Sequence, residues 1–114
     1  MTKELRLLLN ASRYKINELT PTKNNHHVPG IYLIRRPNNS EPIYIGITKK
    51  ISQRMRDHIS TDGGSDLNVM IKKHPELPQD KTSYIVQYLE VNESRRRYLL
   101  ENFFVSLVNP YLNG

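Results

Sequence analysis

The chain has 114 residues and a mass of 13.4 kDa, which is enough for one domain with one hydrophobic core. Its 17 Lys and Arg outnumber its 11 Asp and Glu, and the net charge of +6 favours an anionic polymer such as a nucleic acid as the partner. The absence of cysteine excludes disulfides and thiolate zinc sites, and no stretch is apolar enough to predict a membrane span. Charged residues interrupt the leucines near the N-terminus, which argues against a secretory signal, so we expect a cytoplasmic protein.

The first third of the chain predicts one helix and a connector. Residues 4–19 place apolar side chains at nearly helical spacing and predict an amphipathic helix that packs on the domain. Residues 21–29 are polar, lack periodicity and contain His26 and His27. Adjacent histidines seldom share a metal without help from carboxylates or thiolates, so we expect these two to be solvated.

Two short runs of β-forming residues, 31–34 and 43–47, flank a polar segment rich in turn residues and predict a β-hairpin. The alternation of side chains places Tyr32 and Tyr44 on one face, beside Gly46. A glycine inside a strand indicates that another group approaches the backbone closely. The opposite face is expected to be core and carries Ile31, Leu33, Ile43, Ile45 and Ile47.

The rest of the chain predicts helices at 50–60, 66–74 and 94–108, and a strand at 84–91. Glycines 63 and 64 break the chain between the first two helices. The expected N-caps are Thr48, then Ser65 or Asp66, then Asn92 or Ser94. The apolar face of the last helix is expected to contain Leu100, Phe103, Phe104 and Leu107. This order predicts an α+β domain with a three-stranded, mainly antiparallel sheet flanked by helices.

The hairpin resembles the signature of the GIY-YIG nuclease family, and the resemblance covers roughly residues 29–113. A basic residue often stands beside the final proline of that family and is missing here. Five features occur in the family's order: Gly30-Ile31-Tyr32, Tyr44-Ile45-Gly46, Arg54 with His58 as R-x-x-x-H, Glu101, and Asn109-Pro110-Tyr111 with Asn113.

The resemblance implies a metal-dependent DNA endonuclease that leaves 5′-phosphate and 3′-hydroxyl ends. It implies that Glu101 holds Mg²⁺ or Mn²⁺, that Tyr32 acts on the attacking water, and that Tyr44 orients groups and contacts phosphate. A phenol near pKa 10 is a poor base at neutral pH, so we expect Arg54, His58 and the metal to lower the pKa of Tyr32. The two tyrosines are also compatible with a simple cross-strand aromatic pair.

The other candidates have plain structural alternatives. Arg54 offers a planar fork of donors that suits phosphate, but it also fits an ordinary exposed helix position. His58 follows one turn later and could transfer a proton, hold a tyrosine hydroxyl, or make a structural hydrogen bond. Glu101 interrupts an apolar stretch and suits Mg²⁺, although an ion pair with Arg97 at i,i+4 explains the helix pattern equally well.

Supporting roles are expected for further residues. Gly30 and Gly46 should provide space, and Asn113 should fix backbone near the site. Lys49, Lys50 and Arg56 should contact the nucleic-acid backbone. We expect residues 1–28 to form an N-terminal extension and residues 29–114 the catalytic domain.

Three functions are compatible with these residues. The first is a small stand-alone DNA nuclease with limited sequence specificity. The second is a restriction-type endonuclease that acts as a homodimer, since one active site makes one nick. The third is a non-catalytic, basic nucleic-acid-binding module. The sequence leaves single-stranded, duplex and branched DNA, and RNA, open as substrates.

Overall fold

The structure is a computed structural model that describes residues 3–20, 26–60 and 66–113. Within these ranges the chain forms an α+β fold, as predicted, and no helix there is long and apolar enough to cross a membrane. The helices are α1 (Lys3–Leu9), α2 (Ile51–Ile59), α3 (Asp66–Lys73) and α4 (Ser94–Val108). The strands are β1 (Tyr14–Lys15), β2 (Gly30–Arg35), β3 (Pro42–Thr48) and β4 (Ile85–Glu90).

The sheet has four antiparallel strands in the order β1-β4-β2-β3. Three strands were predicted, and the fourth, β1, has only two residues and therefore no detectable alternation. In the register of the sheet, Tyr32 pairs with Gly46 on one side and with Tyr88 on the other. Tyr32 therefore lies in the middle of the sheet, with a neighbouring strand on each side.

Apolar layers cover both faces of the sheet, so the prediction of a single core face is wrong. On one face Tyr32 packs with residues of α2 and α3, such as Met55 and Leu67. On the other face α1 and α4 contribute Leu8 and Phe104 to a separate cluster. Burial on both sides encloses the ring of Tyr32 within the protein.

A β-bulge corrects the predicted position of Ile43. Ile34 pairs with Tyr44, but the next residue of β2, Arg35, pairs with Pro42, so Ile43 is an extra residue in β3. Its side chain consequently joins the cluster of Tyr32 and Tyr44. The alternation predicted Ile43 on the other face because a bulge shifts the period by one residue.

The N-terminal helix ends at Leu9, ten residues earlier than the predicted end at 19. The side chain of the buried Gln87 donates hydrogen bonds to the carbonyls of Leu9 at 2.9 Å and Ala11 at 2.8 Å. Tyr14 and Lys15 then pair with the edge of β4 as strand β1. The chain leaves the helix because the edge strand and Gln87 offer its backbone groups other partners.

The predicted helix ends need three corrections. The Thr48 hydroxyl accepts a hydrogen bond from the Lys50 amide at 3.1 Å and so shapes the turn before α2 instead of capping it. The N-cap of α4 is Glu93 and not the predicted Asn92 or Ser94. On α4, Phe103 and Leu107 are exposed, because Arg97, Leu100 and Phe104 form its buried face.

Three sequence predictions lie outside the described residues. They are the connector at 21–25, the glycine break at 63–64, and the capping of α3 by Ser65 or the Asp66 side chain.

We expect replacement of Gln87 by Leu to lower the free energy of unfolding by about 2–4 kcal/mol, because the substitution leaves buried groups without partners. The side chain is 1% exposed, and its Oε1 also accepts a hydrogen bond from Arg35 Nε at 2.7 Å. Chemical denaturation measures the loss, with Gln53→Leu on the exposed surface of α2 as the matched control. A loss no larger than that of the control would contradict the role assigned to Gln87.

Candidate active site

The ring of Tyr32 lies directly over Gly46 of the neighbouring strand. A Cβ atom at position 46 would lie 2.5 Å from Cζ and 3.0 Å from Cε1 of that ring, which is closer than van der Waals contact allows. Gly46 therefore provides the space that the sequence predicts. Gly30 does the same elsewhere, since a Cβ there would collide with the backbone of Leu89.

The Tyr32 hydroxyl has hydrogen-bond partners on α2. It lies 2.8 Å from His58 Nε2, and Arg54 Nε donates a hydrogen bond to it over 3.4 Å. Arg54 and His58 reach the same atom because residues four apart share one helix face. The Tyr32 hydroxyl can donate its proton to His58 Nε2 while its oxygen accepts from Arg54, an arrangement that requires the imidazole proton to be on Nδ1.

Burial controls the ionisation of this pair. Tyr32 and His58 are both 0% exposed. Burial, followed by the neighbouring Tyr44, raises the pKa of Tyr32, while burial together with the charge of Arg54 lowers the pKa of His58 to about 3. Arg54 lowers the pKa of Tyr32, as predicted, but burial outweighs this effect, so the protein groups by themselves do not lower the pKa of Tyr32. Both groups are neutral at pH 7.

Tyr44 completes an aromatic cluster around the hydroxyl. Its ring centroid lies 6.2 Å from that of Tyr32 and 6.1 Å from that of His58. It is 8% exposed, so it lies nearer to solvent than the other two rings. Tyr44 thus packs against Tyr32, and it is also the ring through which the cluster reaches the surface.

Glu101 lies on α4 and faces the same site. Its charge contributes to the raised pKa of Tyr32, and partial burial raises the pKa of Glu101 itself. It makes no hydrogen bond or ion pair with another described residue. The predicted alternative, an ion pair with Arg97, is wrong, because Arg97 donates to the carbonyls of Val91 at 2.9 Å and Asn92 at 3.0 Å.

The donor set at this site fits a magnesium-type cation. Glu101 is a partly buried carboxylate with no partner among the described residues, and Mg²⁺ binds through one or two carboxylates while keeping several waters. In the described part of the chain, no three His, Asp or Glu side chains converge as a metal-binding cluster. A zinc-type cage of protein ligands is therefore not built there.

Asn113 holds the edge of β3 next to the site. Its side chain accepts a hydrogen bond from Ile45 N at 2.6 Å and donates one to Ile45 O at 3.0 Å. The amide of Leu112 also donates to Ile43 O at 2.7 Å. The chain end consequently satisfies the free edge of β3 and fixes the backbone between Tyr44 and Gly46.

The three residues predicted to contact nucleic acid differ in their contacts within the protein. Lys49 and Lys50 are exposed in the turn between β3 and α2. Arg56 is also exposed, but its guanidinium donates to Thr20 O at 2.9 Å and ties α2 to the N-terminal segment. The ammonium groups of the two lysines make no hydrogen bond or ion pair with another residue in the part of the chain that the structure describes, while Arg56 has a structural contact.

Sequence reasoning missed an aromatic group beside Tyr32. His26 Nδ1 lies 2.5 Å from the Tyr88 hydroxyl, and its ring centroid is 4.8 Å from that of Tyr14. His26 is partly buried, so the prediction that it is solvated is wrong. Only the pairing of Tyr88 with Tyr32 brings these residues to the site, and no local sequence signal reports that register.

Comparison with known proteins finds one matching family and solved structures of similar fold. The family model for the GIY-YIG catalytic domain matches residues 28–113 of this chain. Similar solved structures include the GIY-YIG N-terminal endonuclease domain of UvrC from Thermotoga maritima. Its magnesium-bound form is 20% identical with a TM-score of 0.55, over 100% of both chains. A tyrosine-to-phenylalanine mutant of it, bound to its catalytic divalent cation, is 20% identical with a TM-score of 0.58, over 100% of this chain and 99% of that chain. No curated protein matches.

We expect Gly46→Ala to lower the free energy of unfolding by about 1–3 kcal/mol, since the new methyl group collides with the Tyr32 ring. In a Tyr32→Ala background the same substitution should cost much less, because the ring is absent. A double-mutant cycle by chemical denaturation measures this coupling. Equal costs in both backgrounds would show that Gly46 serves some other purpose than space for the ring.

Stability should fall in acid because of His58. The unfolded chain protonates this histidine below about pH 6.5, whereas the folded protein keeps it neutral down to about pH 3. The free energy of unfolding should therefore decrease as the pH is lowered through this window, by up to about 1.4 kcal/mol per pH unit. His58→Asn should remove that part of the slope, and the control His74→Asn, at a histidine whose side chain is 40% exposed, should not. Identical slopes in all three proteins would exclude a buried neutral His58.

Proposed function

The chain belongs to the GIY-YIG catalytic-domain family, and we propose that it is a metal-dependent endonuclease that hydrolyses DNA phosphodiesters to 5′-phosphate and 3′-hydroxyl ends. The observation that carries the proposal is the buried Tyr32 hydroxyl, bonded to Arg54 and His58 and within the electrostatic reach of the unpaired Glu101. The UvrC domains of similar fold are endonucleases with a catalytic divalent cation, which supports the same class of activity here.

Phosphodiester hydrolysis needs a nucleophile that loses a proton, neutralisation of the nonbridging oxygens, and help for the leaving 3′ oxygen. A Mg²⁺ or Mn²⁺ ion held by Glu101 would supply charge neutralisation and leaving-group assistance. Arg54 carries a permanent positive charge and lies at the site, where its Nε donates a hydrogen bond to the Tyr32 hydroxyl. It would bind a nonbridging oxygen of the phosphate.

We propose that Tyr32 transfers the proton of the attacking water and does not act as a free phenolate. Its pKa is raised by burial, so it cannot ionise in advance at neutral pH. It can instead accept the proton of water while its own proton moves along the 2.8 Å hydrogen bond to His58 Nε2. The negative phosphate would stabilise the imidazolium that forms and would raise the pKa of His58 from its low value in the free protein.

The remaining residues would position these groups. Tyr44 would orient the substrate and contact phosphate from the surface of the aromatic cluster. Gly30 would leave room for the backbone of Leu89 and Gly46 for the Tyr32 ring, and Asn113 would hold β3. Residues 29–114 would form the catalytic domain and residues 1–28 its extension, with DNA as the partner. The cysteine-free composition is compatible with action in the cytoplasm.

A restriction-type homodimer is the second candidate. Leu99, Phe103 and Leu107 are 63%, 41% and 52% exposed and recur every four residues along the outer side of α4. An unpaired apolar stripe of this kind is suited to packing against a second copy. Two copies would bring two active sites to a duplex and allow both strands to be cut.

Cleavage of labelled DNAs tests the proposal, with a panel that contains single-stranded, duplex, flapped and plasmid substrates. We expect Mg²⁺- or Mn²⁺-dependent cutting that EDTA abolishes and that Glu101→Gln reduces by at least a hundredfold, because the substitution removes the charge that holds the cation. Glu93→Gln, an exposed glutamate at the start of the same helix, is the matched control and should cut normally.

The panel also separates the candidates. Equal nicking of many substrates supports a stand-alone nuclease, and double-strand breaks at fixed plasmid sites support the dimer. Binding without cleavage under any divalent cation would overturn the enzyme and favour a binding module. Cleavage by Glu101→Gln at the parent rate would overturn the metal site.

A further inference from the structure

A small cavity of about 90 Å³ lies between the end of β3 and the start of α4. Its wall comprises Ile47, Thr48 and Lys49 from the end of β3 and the turn after it, and Ser94, Arg97 and Tyr98 from α4. Ile47 packs with the cluster that α4 joins, on the face of the sheet opposite to the Tyr32 ring. Tyr98 precedes Glu101 by three residues and therefore lies on the adjacent part of the same helix face. The cavity consequently lies on the α4 side of the sheet, about one helical turn from Glu101.

The cavity offers donors for an anion. Lys49 is exposed and makes no hydrogen bond or ion pair with any described residue, and the same holds for the Ser94 hydroxyl. Arg97 also lines the cavity, but its guanidinium is occupied by the carbonyls of Val91 and Asn92. An ammonium and a hydroxyl on opposite walls can together bind the oxygens of one phosphate group.

An exposed aromatic ring stands at the same cavity. Tyr98 is 60% exposed and has no ring contact or hydrogen bond with another described residue. It does not belong to the apolar stripe of α4, because successive helix residues are rotated by about 100°, which turns Tyr98 away from Leu99 and toward Glu101. A tyrosine that is exposed next to a free lysine has the features of a stacking surface for a nucleobase.

We propose that this cavity and the exposed ring beside it bind a nucleotide next to the scissile phosphate, with a phosphate group in the cavity on Lys49 and Ser94 and the base stacked on Tyr98 at the surface. The proposal rests on the nuclease function and names its substrate class. A base in a duplex is stacked between its neighbours and cannot present a face to Tyr98, so the strand must be unpaired at this nucleotide. The preferred substrate is single-stranded DNA or the single-stranded part of a branched molecule.

Binding measured in EDTA, where cleavage is absent, tests the two contacts separately. The probes are a fluorescent oligothymidine, an abasic strand of equal length and charge, and a duplex of that length. The variants are Tyr98→Ala, Tyr98→Phe, Lys49→Ala and Lys49→Arg. Leu7→Ala and Lys73→Ala are matched controls, because each truncates an exposed side chain away from this cavity, on α1 and α3 respectively.

We expect Tyr98→Ala to weaken oligothymidine binding on the order of tenfold, the loss of one base–aromatic stack, and to leave abasic-strand and duplex binding unchanged. Tyr98→Phe should retain parent affinity, since it keeps the ring. Lys49→Ala should weaken both single strands and reduce the salt dependence of binding, while Lys49→Arg should restore most of the affinity. Both controls should behave as the parent.

Several results would overturn the proposal. Oligothymidine binding by Tyr98→Ala at parent affinity, or an equal loss on all three probes, would exclude a stacking site, even if the parent cleaves DNA normally. A parent that binds none of the probes would refute the nucleic-acid function together with the subsite. A change of molar mass in Tyr98→Ala, measured by light scattering, would assign this ring to a protein interface instead. Thermal unfolding should show that the variants are folded.

Discussion

The central constraint of this molecule is the burial of a phenol inside a β-sheet. The Tyr32 hydroxyl is removed from water, and a buried polar group without a partner is costly, so the fold must bring donors and acceptors to it. Arg54 and His58 meet that need from a single helix face. The ring also requires a strand neighbour without a side chain, which is Gly46. Strand register and the position of α2 are therefore tied to one side chain.

The rest of the fold holds this arrangement from both sides of the sheet. One apolar layer, with α2 and α3, encloses the Tyr32 ring, and the other seats α4, which carries Glu101. The C-terminal Asn113 fastens the outer edge of β3. Gln87 performs a similar task at the opposite side, where it joins β4 to the segment after α1. The site is thus assembled from elements that are far apart in the chain.

The free site combines two buried neutral groups with one positively charged and one negatively charged side chain. Tyr32 and His58 are kept neutral by burial, Arg54 is a permanent cation, and Glu101 is a carboxylate without a protein partner. Leaving a partly buried carboxylate unpaired costs stability, and such costs are concentrated at functional sites. A divalent cation and a phosphate would together satisfy both charges, so the free site is complementary to its proposed ligands.

The sequence by itself determined the family, the α+β class, the hairpin, and the limits of α3, α4 and β4 to within two residues, because these depend on local periodicity and on motifs with fixed spacing. It also named Tyr44, Gly46, Arg54 and His58, which the structure brings to Tyr32, but not Tyr88 on the neighbouring strand. Only the tertiary structure decided the end of α1, the bulge at Ile43, the burial of both sheet faces and the raised pKa of Tyr32. These features follow from contacts between distant segments and from the exclusion of water. The local pattern of residues encodes neither the contacts nor the exclusion of water.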